Sequence, residues 1–540
     1  MNPTSTSISQ RPAYRRIAAL GLLLVLVAAP AVPAQAAPPA VDNSAAAAGS
    51  AVASSGAATA GRRGQARTQT TPPTLTDRQA ATRREQAADR APVDKGAIAS
   101  LPRAKALNPP ITAPGAPSTL ATTILRDSAI PASGISGGSS FVSNTQEPST
   151  DANGGNIFQT GNWYATRSTN NGATWSALDP FTIFGSGFCC DQVTQYDPIR
   201  GRQFWLLQYS DHLVLANASA AGAGAFTSWC WYTITPSWFG QPSTTSIDYN
   251  DMTIGNNYVY ISSNLFPSGG GSASGIIRLP AAAMSTCGGF SYNYLTRTDN
   301  FTFKLTPGST DTLFWGSNWG QTNGSSFRVF AWAESSTSYS WWDRTVASYG
   351  FFTRNSGQNC ASANGVVTNW CAFADSRTLG AYRAAGVLGF SFNARQDGSH
   401  PFPYTRIVWF NESTKAYLGA GDVWGSWGAI QFMSLAPNNA GRVGGVFAWG
   451  GGTGTTAYYP GGAAYTTGAT TIENNSNFFL WGQGNTCTAA GGIPRFGDYL
   501  TARTYKANPS TWIAAAYAFK GGNCGSPGVY SEPHNINFSG

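Results

Sequence analysis

Hydrophobic and polar residues alternate along much of the chain in short runs that are separated by turn residues. In the stretch from Cys189 to Tyr209, an alternating run leads to the turn Tyr196-Asp197-Pro198, and the apolar run Phe204-Trp205-Leu206-Leu207 follows. A period of two on both sides of a turn predicts a β-hairpin. The same strand–turn–strand pattern recurs in three further stretches, which are Ser243 to Asn264, Ala429 to Trp449 and Arg495 to Phe519.

Sheet units that recur every few tens of residues are typical of a radial or solenoid fold. The candidate units begin near Phe141, Asp191, Asp248, Thr312, Asp375, Trp427 and Asp498. A four-stranded blade needs about 40 to 50 residues, so the roughly 400 residues of this region fit six or seven blades. We therefore predict an all-β fold in which residues 139–540 form a seven-bladed β-propeller. A six-bladed propeller is the first alternative, and a pair of jelly rolls is the second.

Two regions with a different composition precede the predicted propeller. Residues 1–36 predict a signal peptide, because basic residues precede an apolar stretch too short to span a bilayer and Ala34-Gln35-Ala36 fits a cleavage site. Residues 37–138 contain no Phe, Trp or Tyr and are rich in Ala, Pro, Ser and Thr. This composition predicts a mostly disordered linker, either a plain spacer or a removable pro-segment. We therefore expect a secreted, extracellular protein of bacterial type without a transmembrane segment.

The excess positive charge of the chain lies in these N-terminal regions. The formal net charge is +8, and residues 1–140 hold 14 basic and 6 acidic side chains. The remaining 400 residues hold 19 of each. A neutral folded region gives no reason to expect a nucleic-acid partner. The basic segment predicts at most a weak association with an anionic cell wall.

The cysteines all lie in the predicted propeller, at Cys189, Cys190, Cys230, Cys287, Cys360, Cys371, Cys487 and Cys524. An even number of cysteines in an exported chain predicts disulfide bonds. Their positions favour three pairs, which are Cys230 with Cys287, Cys360 with Cys371, and Cys487 with Cys524. The adjacent pair Cys189-Cys190 has two interpretations. The two residues bond each other and form a flat apolar platform for a ligand, or each joins a distant partner.

One turn resembles a motif of a known family. The segment Ser168 to Trp175, STNNGATW, resembles the Asp-box turn of sialidase-like (BNR) β-propellers, with Asn170 where the family has aspartate. Gly172 permits a backbone with positive φ, the Asn170 side chain can bond the loop backbone, and Trp175 can fill the layer below. The Asp box is a structural element. The resemblance therefore implies a sialidase-like propeller fold and assigns no catalytic residue.

Acidic residues at the beginnings of the innermost strands would meet at the mouth of a central channel. Carboxylates at close range raise the pKa of one member or bind a cation, so Ca²⁺ is the candidate cofactor although no metal ligand can be assigned. The candidate catalytic residues are Asp191, Asp498 and Tyr499. The candidate substrate-binding residues are Asp248, Asp251, Asp375, Arg377, Arg495, Arg503, Trp315 and Trp427, the last two as platforms that stack on sugars. The alternative is that each acid only bonds the turn of its own blade.

Two classes of function follow from this pattern. The first is a secreted glycan-active enzyme whose partner is an extracellular polysaccharide or glycoprotein. The sialidase resemblance implies an arginine triad, a Tyr/Glu nucleophile pair and an Asp acid, but the sequence assigns no such nucleophile pair. The sequence agrees better with a hydrolase or lyase that acts on an acidic polysaccharide than with a true sialidase. In such an enzyme Arg377, Arg495 or Arg503 holds the carboxylate, and Tyr499 or an aspartate transfers the proton. The second class is a non-catalytic propeller that binds carbohydrate or protein at the cell surface.

Overall fold

The computed structural model of the protein describes residues 62–65, 67–70, 121–130, 145–162, 164–185, 187–318, 324–354, 356, 358–453, 457–489, 492–524 and 530–540. Every described residue belongs to one compact unit, which lies within residues 42–540. The predicted signal peptide and most of the predicted linker lie outside the described residues.

Seven sheets of four antiparallel strands are arranged as the blades of a β-propeller. Blade one, from the axis outward, contains β4 (Ser149–Asn153), β5 (Asn156–Gly161), β6 (Tyr164–Ser168) and β7 (Ser176–Leu178). Blade two contains β8 (Phe188–Asp197), β9 (Arg202–Tyr209), β10 (Leu213–Ser219) and β11 (Cys230–Ile234). Blade three contains β12 (Ser246–Ile254), β13 (Tyr258–Phe266), β14 (Ala273–Pro280) and β15 (Ser291–Arg297). The hairpins predicted in blades two and three are confirmed.

The remaining blades follow the same order from the axis outward. Blade four contains β16 (Lys304–Leu305), β17 (Thr312–Ser317), β18 (Ser326–Ala333) and β19 (Ser338–Thr345). Blade five contains β20 (Thr378–Ala384), β21 (Val387–Ala394), β22 (Tyr404–Asn411) and β23 (Tyr417–Val423). Blade six contains β24 (Ala429–Pro437), β25 (Val443–Gly451), β26 (Tyr458–Thr467) and β27 (Ser476–Leu480). Blade seven contains β30 (Thr501–Thr504), β31 (Trp512–Lys520), β32 (Tyr530–Ser539) and β3 (Thr123–Ala129).

The innermost strands form a closed ring. Each inner strand contacts the inner strand of the next blade, and β30 contacts β4. This confirms the seven-bladed prediction. It also corrects one predicted blade start, because Thr312 opens the second strand of blade four and the two-residue β16 occupies the inner position. In a strand of two residues, the alternation of apolar and polar side chains is too short to be recognised in the sequence.

Blade seven is built from both ends of the propeller. Its outer strand β3 pairs antiparallel with β32, from Thr123 opposite Ser539 to Ala129 opposite His534. The prediction of a linker through residue 138 is therefore wrong for this segment. A strand added to an existing sheet edge gains its order from backbone hydrogen bonds, so it needs no aromatic side chain of its own. Earlier in the chain, β1 (Arg62–Gln65) pairs with β19 and β2 (Arg67–Thr70) pairs with β15, as fifth strands of blades four and three.

One hydrophobic cluster lies at each interface between consecutive blades. Because side chains alternate along a strand, each middle strand supplies residues to two interfaces. Trp205 and Leu207 of β9 pack toward blade one, whereas Leu206 between them packs toward blade three. The apolar runs that predicted strands are therefore strands that are covered on both faces.

Regular structure outside the blades is limited in the described part of the chain. It comprises α1 (Pro180–Phe184), a 3₁₀ helix (Pro236–Phe239), α2 (Ala281–Ser285) and the hairpin of β28 (Thr488–Ala489) with β29 (Ile493–Pro494). The Asp179 carboxylate accepts the backbone N–H of Phe181 at 2.9 Å and so caps α1. None of the described helices has the length and apolar character that crossing a membrane requires.

The three predicted disulfides are confirmed. Cys230 bonds Cys287, Cys360 bonds Cys371, and Cys487 bonds Cys524. Cys190 is also disulfide-bonded. The other six described cysteines bond one another, so none of them is the partner of Cys190. The Cys189 side chain lies outside the described set. The ligand platform at this adjacent pair stays a prediction.

The turn from Ser168 to Trp175 has the contacts that its residues predict. The Asn170 Oδ1 accepts the backbone N–H of Thr174 at 2.9 Å. Gly172 has φ +81°, and its N–H donates to the Ser168 hydroxyl. The Trp175 indole is buried and donates to the hydroxyl of Ser128 in β3 at 3.0 Å. The turn therefore helps to fasten the closing strand of the ring.

His534 in β32 contacts two carboxylates, and the one from Asp127 joins β32 to β3. Its Nδ1 lies 2.6 Å from Asp127 and its Nε2 lies 3.0 Å from Glu532. Burial lowers the pKa of His534, but the two carboxylates outweigh it and the pKa is raised. Lys520 and Tyr530 contact Glu532 from the other side, at 3.7 and 3.2 Å.

We expect His534→Asn to destabilise the protein most at mildly acidic pH. A raised histidine pKa contributes stability that is complete below the unfolded value of about 6.5 and is lost as pH rises through the folded value. The loss in free energy of unfolding should be about 1–3 kcal/mol at pH 6 and smaller at pH 9. Urea unfolding at both pH values measures it, with His212→Asn as the control. An equal loss at both pH values would contradict the ion pair.

Candidate active site

Four acidic residues meet at one end of the central channel, where the inner strands begin. Asp191 lies in β8 and Asp248 in β12, while Asp498 lies three residues before β30 and Glu147 two residues before β4. The last three carboxylates all act electrostatically on Asp191. The ring thus brings together side chains that are separated by up to several hundred residues, including the predicted catalytic residues Asp191 and Asp498. We refer to these four residues as the axial carboxylates.

The environment separates the pKa values of Asp191 and Asp498. Burial raises the pKa of Asp191 well above its ordinary range, and Glu147, Asp248 and Asp498 raise it further. Burial also acts upward on Asp498, but the neighbouring guanidiniums lower its pKa below the ordinary value. Two carboxyl groups with pKa values moved in opposite directions are suited to act as a proton donor and an ionised partner.

Three guanidiniums converge on one oxygen of Asp498. The Oδ2 atom lies 2.9 Å from Arg354 Nη2, 3.7 Å from Arg495 Nη2 and 4.0 Å from Arg377 Nη1. Arg377 is itself held by Asp375, with Nε to Oδ1 at 2.8 Å and Nη2 to Oδ2 at 2.6 Å. A cleft of about 160 Å³ lies over Asp375, Arg377 and Asp498. Asp498 remains 13% exposed and can meet a ligand there.

Glu147 holds the Asp498 loop in place. Its Oε1 accepts the backbone N–H of Asp498 and pairs with Arg495, both at 2.9 Å. Its Oε2 accepts the side-chain amide of Asn162 at 2.7 Å. With both oxygens engaged and only 1% of the side chain exposed, Glu147 positions its neighbours and has no room to contact a substrate.

Two tyrosines lie beside the axial carboxylates. The rings of Tyr249 and Tyr499 meet edge to face with centroids 6.2 Å apart, and the Arg377 guanidinium lies 4.5 Å from the Tyr249 ring centroid. Burial raises the pKa of both phenols well above the ordinary value. Within the described residues, the buried Tyr499 hydroxyl has no hydrogen-bond partner. A buried hydroxyl without a partner costs stability, and a ligand can supply what is missing.

Three non-glycine residues at or near this site have a strained backbone. Glu147, Tyr249 and Phe432 have φ angles of +41°, +52° and +59°, although none is glycine. Tyr249 lies where the pairing of β12 with β13 shifts by a bulge, and Phe432 lies at the corresponding shift between β24 and β25. Non-glycine residues in this conformation cost about 1–3 kcal/mol and often mark functional sites.

The structure separates some predicted site residues from the axial carboxylates. Asp251 is held by the backbone N–H groups of Met252 and Leu305, both at 3.0 Å, and so joins blades three and four. Arg503 lies deeper in the channel, where its Nε donates to the Thr194 carbonyl at 2.9 Å. The contacts of these two residues agree better with a structural role than with direct contact to a ligand at the channel mouth.

Of the two predicted tryptophan platforms, Trp315 needs correction and Trp427 stays a prediction. Trp315 is fully buried between blades three and four and stacks on Phe330 at 4.7 Å, so no sugar can reach it. Trp427 packs edge to face on Trp449, Tyr458 and Phe478 of blade six. Trp315 lies in the second strand of its blade, whose side chains face the neighbouring blades rather than the axis.

Sequence reasoning missed Glu147, Arg354 and Phe373. Glu147 lies two residues before β4 and so, like the acids of other blades, near the beginning of an inner strand, and a complete alignment of the repeats could have found it. Arg354 lies in the irregular segment between blades four and five, where no period exists. Its guanidinium lies 4.3 Å from the Phe373 ring centroid, and that of Arg495 lies 4.8 Å from it on the same ring.

Ca²⁺ binding at the channel mouth stays a prediction. Across the described residues, no group of three or more His, Cys, Asp or Glu side chains is arranged to hold a metal ion. The arginines already neutralise much of the carboxylate charge.

Comparisons with known proteins return only distant structural likenesses. No family model and no curated protein matches the chain. A Dyadobacter fermentans protein of unknown function has 10% identity and a TM-score of 0.36, covering 78% of this chain and 99% of that one. A Penicillium chrysogenum α-L-arabinanase has 8% identity and a TM-score of 0.34, with coverage of 78% and 99%. A Bacillus halodurans xylan β-1,4-xylosidase has 8% identity and a TM-score of 0.31, with coverage of 57% and 56%.

At these identities and TM-scores, the likenesses carry no information about activity. The seven-bladed ring is seen directly in the strand pairing of this chain.

Proposed function

We propose that the protein is a secreted glycan-active enzyme, a glycoside hydrolase in the first place, whose active site is the group of axial carboxylates. The observation that carries this proposal is the meeting of the axial carboxylates, where burial and like charges raise the pKa of Asp191 and three converging arginines lower the pKa of Asp498. Glycoside hydrolysis commonly uses one protonated and one ionised carboxyl group on either side of the scissile bond. The disulfides support the proposed secretion.

In this proposal Asp191 is the general acid. Its carboxyl proton moves to the glycosidic oxygen as the bond between that oxygen and the anomeric carbon breaks. The Asp498 carboxylate stabilises the positive charge that develops on the sugar ring. Water then adds its oxygen to the anomeric carbon, and its proton returns to a carboxylate, so the products are two shorter sugars. Glu147 and Arg495 act as positioning residues that fix Asp498.

The arginines bear on the sialidase-like interpretation. Arg354, Arg377 and Arg495 converge as a triad would, but each is engaged by a protein carboxylate. In this proposal, the resemblance of the Ser168 to Trp175 turn to sialidases therefore concerns the fold and not the reaction.

A substrate screen tests the proposal. The purified protein is incubated with neutral and acidic polysaccharides, and reducing ends and ultraviolet-absorbing unsaturated products are measured separately. We expect new reducing ends without unsaturation, and a large loss in Asp498→Asn but none in Asp311→Asn, an exposed aspartate in the turn before β17. Unsaturated products would replace hydrolysis by a lyase reaction. Saturable binding with no product would favour the non-catalytic alternative.

We expect Tyr499→Phe to lower activity without lowering stability. The change removes a buried hydroxyl that has no described partner, so the free energy of unfolding should stay the same or rise by about 1 kcal/mol. If the hydroxyl contacts the substrate, kcat/KM should fall about 10-fold. Thermal melting and initial rates on one substrate measure both effects. A clear drop in melting temperature would show that the hydroxyl has a structural partner instead.

A further inference from the structure

A second cavity lies on the axis next to the axial carboxylates. It has an empty volume of about 520 Å³, including the part open to solvent, and five inner-strand regions contribute to its wall. Tyr249 and Tyr499 line it, so the two tyrosines separate it from Asp498. Its polar lining also includes Asp251, Lys304, Ser434 and Arg503.

Arg503 is a buried cation without a carboxylate contact. The residue is only 7% exposed. Its guanidinium donates to neutral acceptors, which are the Thr194 carbonyl at 2.9 Å and the Gln195 side-chain oxygen at 3.4 Å. It forms no ion pair with any carboxylate of the described chain, and Asp151 and Asp251 act on it only at longer range. A buried charge without a partner is costly unless a ligand supplies the opposite charge.

The remaining charges of the cavity wall do not balance Arg503. Lys304 lies 3.1 Å from the Oδ2 of Asp251, and the same oxygen accepts the backbone N–H of Leu305. Asp251 is the one acid in the described lining, against the two bases Lys304 and Arg503. The wall therefore carries a surplus positive charge, and apolar side chains such as Leu435 and Leu500 strengthen its field by excluding water.

We propose that this cavity binds the carboxylate of an acidic sugar, with Arg503 and Lys304 as its ionic partners. The inference rests on the proposed glycan-active function and names the substrate class as uronic-acid-containing glycans. The Tyr499 hydroxyl, which has no described partner, and the Ser434 hydroxyl then form hydrogen bonds with hydroxyl groups of the sugar. Leu435 and Leu500 pack against the C–H faces of the sugar ring. A uronate bound here contacts Tyr499, which lies between the cavity and the axial carboxylates.

Direct binding tests this inference without any turnover. Isothermal titration of Asp191→Asn protein with glucuronate and galacturonate is compared with glucose, galactose and inorganic sulfate. We expect a uronate to bind at least about 10-fold more tightly than its neutral counterpart, because a charge-assisted contact in a dry site is strong. Equal binding of uronate and neutral sugar would overturn the inference, and so would binding of sulfate alone.

Variants localise the site. Arg503→Gln and Lys304→Gln should each weaken uronate binding about 10-fold and leave binding of the neutral sugar unchanged. Arg297→Gln, which removes a positive charge in β15, the fourth strand of blade three and not part of the cavity wall, should have no effect. If Arg503→Gln fails to fold, Lys304→Gln decides the result alone. Uronate binding that survives Lys304→Gln and Arg503→Gln would overturn the inference, whereas absence of hydrolysis would overturn only the proposed function.

Discussion

Replacing Asp191 by asparagine is expected to reduce glycan hydrolysis by at least about 100-fold, mainly in kcat. The asparagine keeps the size of the side chain and cannot donate a proton to the leaving oxygen. In the wild-type enzyme, activity should hold at low pH and fall as pH rises through the raised pKa of Asp191. Rates from pH 4 to pH 9 on the best polysaccharide measure both effects.

The same substitution should stabilise the fold at neutral and alkaline pH. Asp191 has a raised pKa in the folded protein and an ordinary value near 4 in the unfolded chain. Its favourable contribution is therefore complete below about pH 4 and is lost as pH rises toward the folded value. Asparagine does not ionise, so Asp191→Asn should melt above the wild type by a margin that grows with pH.

These two results together separate a catalytic acid from a structural one. Asp311→Asn is the matched control, since it removes an exposed aspartate in the turn before β17 that is not one of the axial carboxylates. Loss of activity together with a lower melting temperature at every pH would mean that Asp191 supports the fold, and the catalytic assignment would have to be withdrawn.

Removing the strand Thr123–Ala129 is expected to open the ring. A chain that begins at residue 131 lacks β3, so β32 loses its backbone partners and His534 loses Asp127. At about 1 kcal/mol for each lost hydrogen bond, the free energy of unfolding should fall by about 5 kcal/mol or more. The matched control begins at residue 116, which also removes β1 and β2 but keeps β3.

A synthetic peptide can restore the closure. The peptide of residues 118–131 should bind the shortened chain by adding a strand to β32 and should raise its melting temperature. A peptide with Asp127→Lys should bind more weakly, because lysine would face His534. If the chain from residue 131 is as stable as the control, the closing role of β3 is wrong.

The hydrophobic pattern predicted the ring well because the middle strands of the blades are covered on both faces. Runs such as Phe204-Trp205-Leu206-Leu207 have a simple cause, since alternate residues fill the interfaces with the two neighbouring blades. The aspartates could be placed together because several of them lie where an inner strand begins. That single geometric fact brought Asp191, Asp248 and Asp498 to one site.

Other parts of the structure lie outside the repeating pattern of the sequence. Arg354 reaches Asp498 from an irregular segment, and only tertiary contacts show that the two are neighbours. Strand β3 has no aromatic residue, because a sheet edge and not a core holds it. Trp315 was misplaced because composition cannot tell which strand of a blade faces the axis.

The protonation state of Asp191 is the most direct test of the account. Its side-chain carboxyl can be followed by ¹³C NMR from pH 3 to pH 9, with Asp191→Asn used to assign the signal. We predict a midpoint well above the ordinary aspartate value of about 4, and a downward shift in Asp248→Asn, which removes one of the like charges. A midpoint near 4 that does not respond to Asp248→Asn would contradict an acid held protonated at the axis of the ring.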